Sequence, residues 1–512
     1  MGHCPSVTDD ANIELLPANA GPSGPAGDRG KPGCCPGSAD ASLRRPGPTS
    51  EGRLQHTAQW NLRFSLAPQG TQLAPGMTAG LTRCRDGFRM NSSAVRYPAV
   101  LHALNSRNYR LFFGGQGLSL LGNWMTLTAS AWLIYELSRN PLYVGLLGFA
   151  NQIPMLLLAP LGGIWGDRVN RQRLMWWLNL LCSAQSVTLA LFAYTGHLTV
   201  GWLLALSALR GLINAFEFPT RQAFIVDLVA AKADLPNAIA LNSSLFNVSR
   251  LIGPAIAGWL IATQGPEVCY ALDAVSYVGI LASLLTMRTL PRLAPAKPAH
   301  PLADLLAGWN YVRASALLRP PLLLVPLVAF AGFTTSILAP VFARDIFHGT
   351  SVTLGQMYSA VGAGALVSAL LLAGRKSGDG LAHWVTRGSF ALMVGQVGFA
   401  LSPALPLAFV CLAANGFGAV LCMAGCNTLI QARVADDKRS RVMGLFAMGQ
   451  GLFPLGSLFA GAVAAAAGPR TAIAVSALIM GVATIFFARH ADRFHGDRLP
   501  SRPMPLPSDS AT

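Results

Sequence analysis

The stretch Gly163-Ile-Trp-Gly-Asp167-Arg168-Val-Asn-Arg171-Gln-Arg173 is a charged turn between two long apolar runs. Neither flank, 144–161 upstream or 174–194 downstream, contains a charged residue. A helix of about 20 apolar residues crosses the roughly 30 Å hydrocarbon layer of a bilayer. The stretch therefore predicts two membrane-spanning helices joined by a short turn at the membrane surface.

The composition of the whole chain is typical of a membrane protein. Of its 512 residues, 52% are hydrophobic and 12% are charged, and the mean hydropathy is +0.44. A soluble domain carries about 25% charged residues. The formal net charge of +16 does not indicate nucleic-acid binding, because the Lys and Arg residues are spread over short loops without an aromatic-rich basic patch.

Twelve apolar runs are long enough to cross a bilayer as helices, and we number them as spans one to twelve. They cover 111–135, 143–161, 174–194, 198–215, 245–262, 269–287, 321–342, 354–373, 388–404, 407–429, 442–466 and 472–488. The fold class predicted is an all-α membrane protein with two six-helix bundles. The loops after even-numbered spans are rich in Lys and Arg, and we call them the basic loops. Loops after odd-numbered spans contain only Arg139, Arg344 and Arg470. Since basic loops stay cytoplasmic, both termini are expected to face the cytoplasm.

A long loop divides the spans six and six. The domain organisation predicted is a disordered low-complexity extension at 1–95, a first bundle at 96–287, a cytoplasmic linker with an amphipathic helix at 288–320, a second bundle at 321–488 and a cytoplasmic tail at 489–512. The extension lacks the apolar periodicity that a folded core requires. Met90 opens a short leader into span one, which favours a gene start at that residue.

Span one carries a stripe of polar residues on one helical face, spaced three or four residues apart. The stripe consists of Gln116, Ser119, Asn123, Thr126 and Ser130. Unpaired polar groups are costly in hydrocarbon, so the stripe faces either other helices or a substrate cavity. Two glycines beside it, Gly115 and Gly122, favour close helix packing.

Four ionisable residues stand out within or beside the apolar runs. Arg210 lies near the middle of span four, with Asn214 one turn later and Glu217 at the end of the span. Arg250 lies in span five, and Asp273 lies early in span six, either inside the bundle or in the outer interface. A charge at membrane depth is expected to face the protein interior and a partner.

The charged turn resembles the loop between helices two and three of the major facilitator superfamily of transporters. The stretches 218–223, 237–243 and 427–441 are similar to the branch that contains the enterobactin exporter. The resemblance implies a secondary exporter of a siderophore-like or drug-like molecule in the bacterial inner membrane. It also implies that two bundles rock around a central cavity. The expected partners are the small-molecule substrate, protons and the lipid bilayer, with no cofactor, metal or nucleic acid, and the expected state is a monomer.

The resemblance also implies roles for individual residues. The substrate cavity is expected to involve Gln116, Asn123, Thr126, Arg210, Asn214, Phe333, Thr334, Thr335 and Asn415. Gating is expected to involve Gly163, Asp167, Arg168, Arg171 and Arg441. Coupling candidates are Glu217, Asp273 and Arg210. Gly253, Pro254 and Gly258 resemble a shortened antiporter motif for helix packing.

Two positions depart from the superfamily pattern. Asn170 stands where the loop usually has Gly, a change that the loop can accommodate because Asn tolerates a positive φ. Asn123 stands where many relatives carry Asp, which removes one possible proton carrier.

Other functional classes find less support in the sequence. A membrane-embedded enzyme would need a catalytic constellation, and no metal-spaced His or Cys, no Gly-x-Ser-x-Gly and no paired intramembrane carboxylates occur. An ATP-driven pump would need a phosphate-binding loop, but the Gly30-Lys31 pair is followed by Pro. The chain is therefore predicted not to be an enzyme, and uptake of a small metabolite remains the rival to export.

Overall fold

A computed structural model describes residues 98–229, 232–287, 301–375, 380–435 and 437–491, with the backbone alone at 99–100, 159–168, 232 and 301–305. In the N-terminal half, a 3-10 segment at Ala99–Asn105 precedes six long helices. These helices, spans one to six, are Arg107–Ser138, Pro141–Arg168, Arg171–Tyr194, Val200–Leu228, Leu235–Gln264 and Pro266–Thr286.

The C-terminal half repeats this arrangement with two interrupted spans. Span seven is divided into Arg319–Ala331, Thr334–Ile337, Ala339–Val341 and a π-helical turn at Phe342–Ile346. Span eleven is divided into Arg439–Gln450 and Phe453–Ala467. The other spans of this half, eight, nine, ten and twelve, are Ser351–Ala373, Leu381–Leu401, Leu405–Gln431 and Pro469–Ala491.

Ten of the spans in the described part of the chain are long and apolar enough, by composition, to cross a membrane. The two that do not reach this threshold are spans one and nine. The polar stripe lowers the mean hydropathy of span one, and His383, Arg387 and Gln396 lower that of span nine. Both pack among the other helices, span one on spans five and six and span nine on spans ten and twelve.

Several helices run past the apolar stretches that predicted them. Span four was predicted to end at 215 but continues to Leu228, so Arg221 lies on the helix. The Arg221 guanidinium pairs with Glu217 one turn earlier at 3.2 Å, and this pairing allows the charged end of span four to remain helical. The amphipathic linker segment is a helix at Pro301–Ala314, and it packs against the first part of span eleven.

The two glycines of span one pack against span six, as their spacing predicted. A Cβ on Gly115 would lie 2.8 Å from the Ile280 Cα, and one on Gly122 would lie 2.6 Å from the Asp273 Oδ1. Real side chains do not approach so closely. The absence of a side chain at both positions therefore sets the distance between spans one and six.

The two halves touch at the end that carries the loops after odd-numbered spans, which we call the odd-loop end. Ser457 donates a hydrogen bond to the Gly145 carbonyl at 3.0 Å, and Ser351 donates one to the Gly258 carbonyl at 2.9 Å. One hydrophobic cluster at this end contains residues from both halves, for example Ile134 of span one and Leu354 of span eight. Toward the opposite end, the described residues form two separate clusters, one in each half.

Some sequence predictions lie outside the described residues. These are the N-terminal extension up to residue 97, the first part of the linker at 288–300 and the tail from 492 onward. The side chains of Asp167 and Arg168 are likewise outside, although the helix of span two extends through both positions.

Candidate functional site

A cluster of buried polar side chains lies where spans one, three, four and six meet. Asp273 is fully buried in this cluster. Its Oδ2 accepts hydrogen bonds from the Thr126 hydroxyl at 3.0 Å and from the Ser186 hydroxyl at 2.6 Å. Its Oδ1 has no hydrogen-bond partner among the described residues. The carboxyl is therefore enclosed by helices rather than exposed in an outer interface.

Arg210 on span four is the cation of this cluster and is 8% exposed. Its Nη2 donates to the Asn123 Oδ1 at 2.9 Å and to the Tyr277 hydroxyl. Asp273 and Tyr277 are four residues apart on span six, and Asn123 and Thr126 are three apart on span one. Residues at these spacings share a helix face. Arg210 and Asp273 therefore meet the same faces of spans one and six about one turn apart, and each bonds to neutral groups.

The polar stripe of span one is directed mainly into the bundle. Thr126 bonds to span six, and the hydroxyls of Ser130 and Tyr270 lie 3.2 Å apart. Gln116 is buried, and its Oε1 has no partner in the described part of the chain. Helix-to-helix hydrogen bonding thus accounts for three members of the stripe, Asn123, Thr126 and Ser130. A cavity role stays a prediction for Gln116, Asn123, Thr126, Arg210 and the partly buried Asn214.

Two members of the cluster, Ser186 and Tyr277, were not foreseen from the sequence. Each lies beside another polar residue in a mostly apolar run, Ser186 after Gln185 and Tyr277 after Ser276, and such residues also occur at ordinary core positions. Glu217, a coupling candidate, is paired with Arg221 at the far end of span four. Of the two candidate carboxylates, Asp273 is the one without a cationic side chain in direct contact.

A second polar cluster surrounds the break in span seven. The Gln396 side chain donates to the Ala331 carbonyl at 2.6 Å, and the Asn415 side chain donates to the Gly332 carbonyl at 3.4 Å. Thr334 lies 2.8 Å from the Ser476 hydroxyl on span twelve. These contacts satisfy backbone groups that the interrupted helix leaves free.

The cavity residues predicted in the C-terminal half are mostly enclosed. Thr334 and Thr335 are fully buried, and Asn415 is 1% exposed. Phe333 is partly exposed, and its ring packs edge-on against Phe453 with the centroids 5.5 Å apart. A place in the cavity stays a prediction for all four. Gln396 was not among the residues predicted for the site.

The charged turn between spans two and three does not use the positive φ that Asn170 would tolerate. This residue has φ −68° rather than a positive φ, and its side chain accepts a hydrogen bond from the Arg173 backbone N–H at 3.1 Å. Asn170 is therefore the N-cap of span three, a role for which Asn is among the preferred residues. Arg171 in the same turn pairs with Asp227 at 2.9 Å, which ties the turn to the end of span four.

Charged and aromatic side chains join spans one and seven at the odd-loop end. Tyr135 donates to the Asp345 carboxylate, and Arg344 pairs with Glu136 at 3.2 Å. Arg139 contacts the other oxygen of Glu136 at 2.6 Å. The bonds of Asp345 and Arg344 connect the two halves, so they must break if this end opens.

The packing motif of span five contacts both halves. A Cβ on Gly253 would lie 2.7 Å from the Trp124 Cβ of span one, and one on Gly258 would lie 2.6 Å from the Ser351 carbonyl of span eight. Gly355 on span eight closely approaches the Pro254 carbonyl in turn. Spans five and eight therefore cross with their backbones in contact.

The model of the transmembrane secretion effector family, part of the major facilitator superfamily, matches residues 99–510. The chain belongs to this family. Solved major facilitator structures have the same fold: a bacterial homologue of the lysosomal transporter Spinster gives a TM-score of 0.61 at 17% identity over 76% of this chain and 97% of its own. The human organic anion transporter MFSD10 gives 0.55 at 19% identity over 76% and 100%.

Curated relatives of this family member include transporters for siderophores and drugs. The staphyloferrin A transporter of Staphylococcus aureus is 26% identical over 73% of this chain and 93% of its own length. The multidrug efflux pump Tap of Mycolicibacterium fortuitum is 26% identical over 72% and 92%. The enterobactin exporter EntS of Citrobacter koseri is 27% identical over 71% and 84%. The chain is thus a multi-pass membrane transporter of the twelve-helix major facilitator fold.

Proposed function

We propose that this protein exports a small organic molecule from the cytoplasm across the bacterial inner membrane, driven by the proton gradient. Its relatives include an enterobactin exporter and a multidrug efflux pump, which support export over uptake. Both termini and the basic loops face the cytoplasm in this proposal, following the distribution of Lys and Arg. The protein works as a monomer and has no enzymatic activity.

The observation that carries the proposal is the unequal contact between the two halves. A hydrophobic cluster shared by both halves lies at the odd-loop end, while separate clusters lie toward the basic loops. With the basic loops in the cytoplasm, this is the state closed to the outside. Alternating access then requires the shared cluster to separate while the two inner ends come together.

Asp273 is the proton carrier in this mechanism. Its carboxyl is fully buried, and its Oδ1 is unpartnered among the described residues. Protonation turns a carboxylate from a pure acceptor into a donor, which changes the bonds it can make. Arg210, about one turn away, bonds to neutral groups and offsets the negative charge when the proton leaves. Loss or gain of one proton thus changes the contact between spans one, three and six.

Transport by everted membrane vesicles tests the direction and the energy source. We expect vesicles containing the protein to accumulate at least one compound from a panel of a siderophore, a macrolide and a cationic dye when their interior is made acidic. A protonophore should abolish this accumulation. Vesicles that accumulate none of the panel, while right-side-out vesicles take up a small metabolite, would favour the uptake carrier instead.

Asp167 is proposed to stabilise the outward-open state. It lies in the last turn of span two, where the dipole of its own helix disfavours an anion. In the proposed outward-open state it meets the N-terminus of span eleven, which begins at Arg439 at the same end of the bundle. A carboxylate beside a helix N-terminus contributes about 0.3 to 1 kcal/mol, which shifts a two-state equilibrium by roughly 2- to 5-fold. We therefore expect Asp167→Asn to slow transport moderately and to favour the inward-open state.

Labelling of single cysteines near the basic loops measures this shift. Labelling from the cytoplasmic side should rise in Asp167→Asn, with membrane insertion unchanged. The matched control is Asp234→Asn, which removes a loop carboxylate that contacts His102 within the same half. If Asp167→Asn matches the control in labelling and transport, Asp167 has only a topological role.

A further inference from the structure

Arg250, halfway along span five, is a cation without a counter-ion among the described residues. Its side chain is partly buried, and its guanidinium carbon lies 5.9 Å from the centroid of the Trp124 ring. Among the described residues it has no hydrogen-bond or ion-pair partner beyond this aromatic contact. A charge inside a membrane protein is expensive and normally faces a partner or a functional site. Arg250 therefore needs an acceptor that the described side chains do not provide.

The aromatic neighbour of Arg250 also has an unused donor. The Trp124 indole N–H is buried and has no acceptor in the described part of the chain. The ring is held in place by Gly253, whose missing side chain lets Trp124 approach, and by an edge-on contact with Phe246 at 5.7 Å. Buried indole N–H groups usually find an acceptor. The charged Arg250 guanidinium and the neutral Trp124 N–H are thus two donors at the same indole ring.

This pair lies at the junction of the two halves. A Cβ on Gly362 of span eight would lie 2.9 Å from the Arg250 carbonyl, and Ser359 donates to the Leu251 carbonyl at 2.7 Å. Trp124 comes from span one and Phe246 from the same helix as Arg250, with Phe246 42% exposed. The seam of spans one, five and eight is where the halves must move relative to each other during transport.

The charge around this seam is unbalanced toward positive. Arg210 contacts Asn123, which directly precedes Trp124, so two guanidinium groups flank consecutive residues of span one. Asp273 compensates one of them, while Glu217 is already paired with Arg221. One positive charge remains, and the anion that would neutralise it is not supplied by the described residues.

We propose that Arg250 and Trp124 form the recognition site for an organic anion with a planar or aromatic part. A carboxylate or phenolate oxygen accepts hydrogen bonds from the guanidinium and the indole N–H, and the planar part packs on the exposed ring of Phe246. This inference rests on the proposed export function and names its substrate class. Arginine suits such a site because its planar fork matches oxyanions and stacks on rings.

Dye binding to the purified full-length protein in lipid nanodiscs tests this site without any gradient. The probes are carboxyfluorescein, a planar aromatic anion, and ethidium, a planar aromatic cation, followed by fluorescence anisotropy. We expect the wild-type protein to bind the anion in preference to the cation. Arg250→Gln should weaken carboxyfluorescein binding about tenfold or more, since a hydrogen bond to a charged group is lost, and should not weaken ethidium binding. Arg250→Lys should retain part of the affinity.

Two further variants separate recognition from structure. Trp124→Phe keeps the ring but removes the N–H, and it should weaken anion binding several-fold. Arg387→Gln is the matched control, because Arg387 also lies over a Trp ring, that of Trp384 at 5.6 Å, but is exposed on span nine. This control should bind both dyes like the wild type. If Arg250→Gln does not fold, Arg250→Lys and Trp124→Phe carry the test.

Several results would overturn the site: preference of the wild type for ethidium, binding of neither dye, an equal loss for both dyes, or unchanged affinity in the Arg250 and Trp124 variants. The proposed export function fails in a different way. If the protein binds the anion but its vesicles show no gradient-driven accumulation, the export function is wrong and the recognition site remains supported. If the protein exports cations alone in response to the gradient, the recognition site is wrong and the export function remains supported.

Discussion

Replacing Asp273 by Asn is expected to abolish uphill export while leaving the fold and downhill exchange intact. The amide has nearly the same shape as the carboxyl, and its oxygen can still accept from Thr126 and Ser186. It cannot release a proton. One proton moving down about 100 mV supplies about 2.3 kcal/mol, which corresponds to roughly a fifty-fold concentration ratio. The accumulation ratio should therefore fall from as much as roughly fifty-fold to about one.

Vesicle accumulation and counterflow give the measurements for this variant. Counterflow exchanges labelled for unlabelled substrate without a gradient, so a protein that has lost only its coupling still performs it. Glu217→Gln serves as the control, since it removes a carboxylate that is paired with Arg221 at the end of span four. Uphill accumulation that survives in Asp273→Asn and remains sensitive to a protonophore would remove Asp273 from the coupling mechanism.

The number and order of the spans could be predicted because hydrophobic length is a local property of the chain. The ends of the helices could not be predicted in the same way. A charged residue such as Arg221 continues a helix when a partner such as Glu217 lies one turn away. Asn170 shows the same limit. Its tolerance of positive φ is a property of the residue type, but its use as an N-cap depends on the backbone that follows it.

The functional groups of the polar cluster could be predicted, but not their partners. Arg210, Asn123 and Asp273 stand out as polar residues in apolar runs. Which of them meet depends on how four helices pack, and this packing is set by small residues such as Gly122. The unpartnered state of Arg250 is even less accessible from sequence. A lone Arg in an apolar run predicts a partner, and only the arrangement of its neighbours reveals that none is present among the described residues.

Substituting Val for Gly145 should prevent the odd-loop end from closing. A Cβ at this position would lie 2.6 Å from the Ser457 carbonyl and 2.8 Å from the Gly461 Cα. Both are backbone atoms, so they cannot move aside as the end of a flexible side chain could. Overpacking of this kind costs about 1 to 3 kcal/mol. Since the contact exists only in the closed state, the equilibrium should shift toward the outward-open state by roughly 5- to 150-fold, and transport should slow accordingly.

The shift is measurable as a distance between spin labels on Tyr194→Cys and Leu401→Cys. These residues lie at the odd-loop end, one in each half, and are 82% and 72% exposed. The distance distribution should move to longer values in Gly145→Val, and also in Gly461→Val, which introduces the same clash from the opposite helix. Gly114→Val is the matched control, because nothing lies within 4 Å of the Cβ it adds. An unchanged distance in both clashing variants, with transport intact, would mean that the two halves do not separate at this seam, and that opening occurs without moving span two away from span eleven.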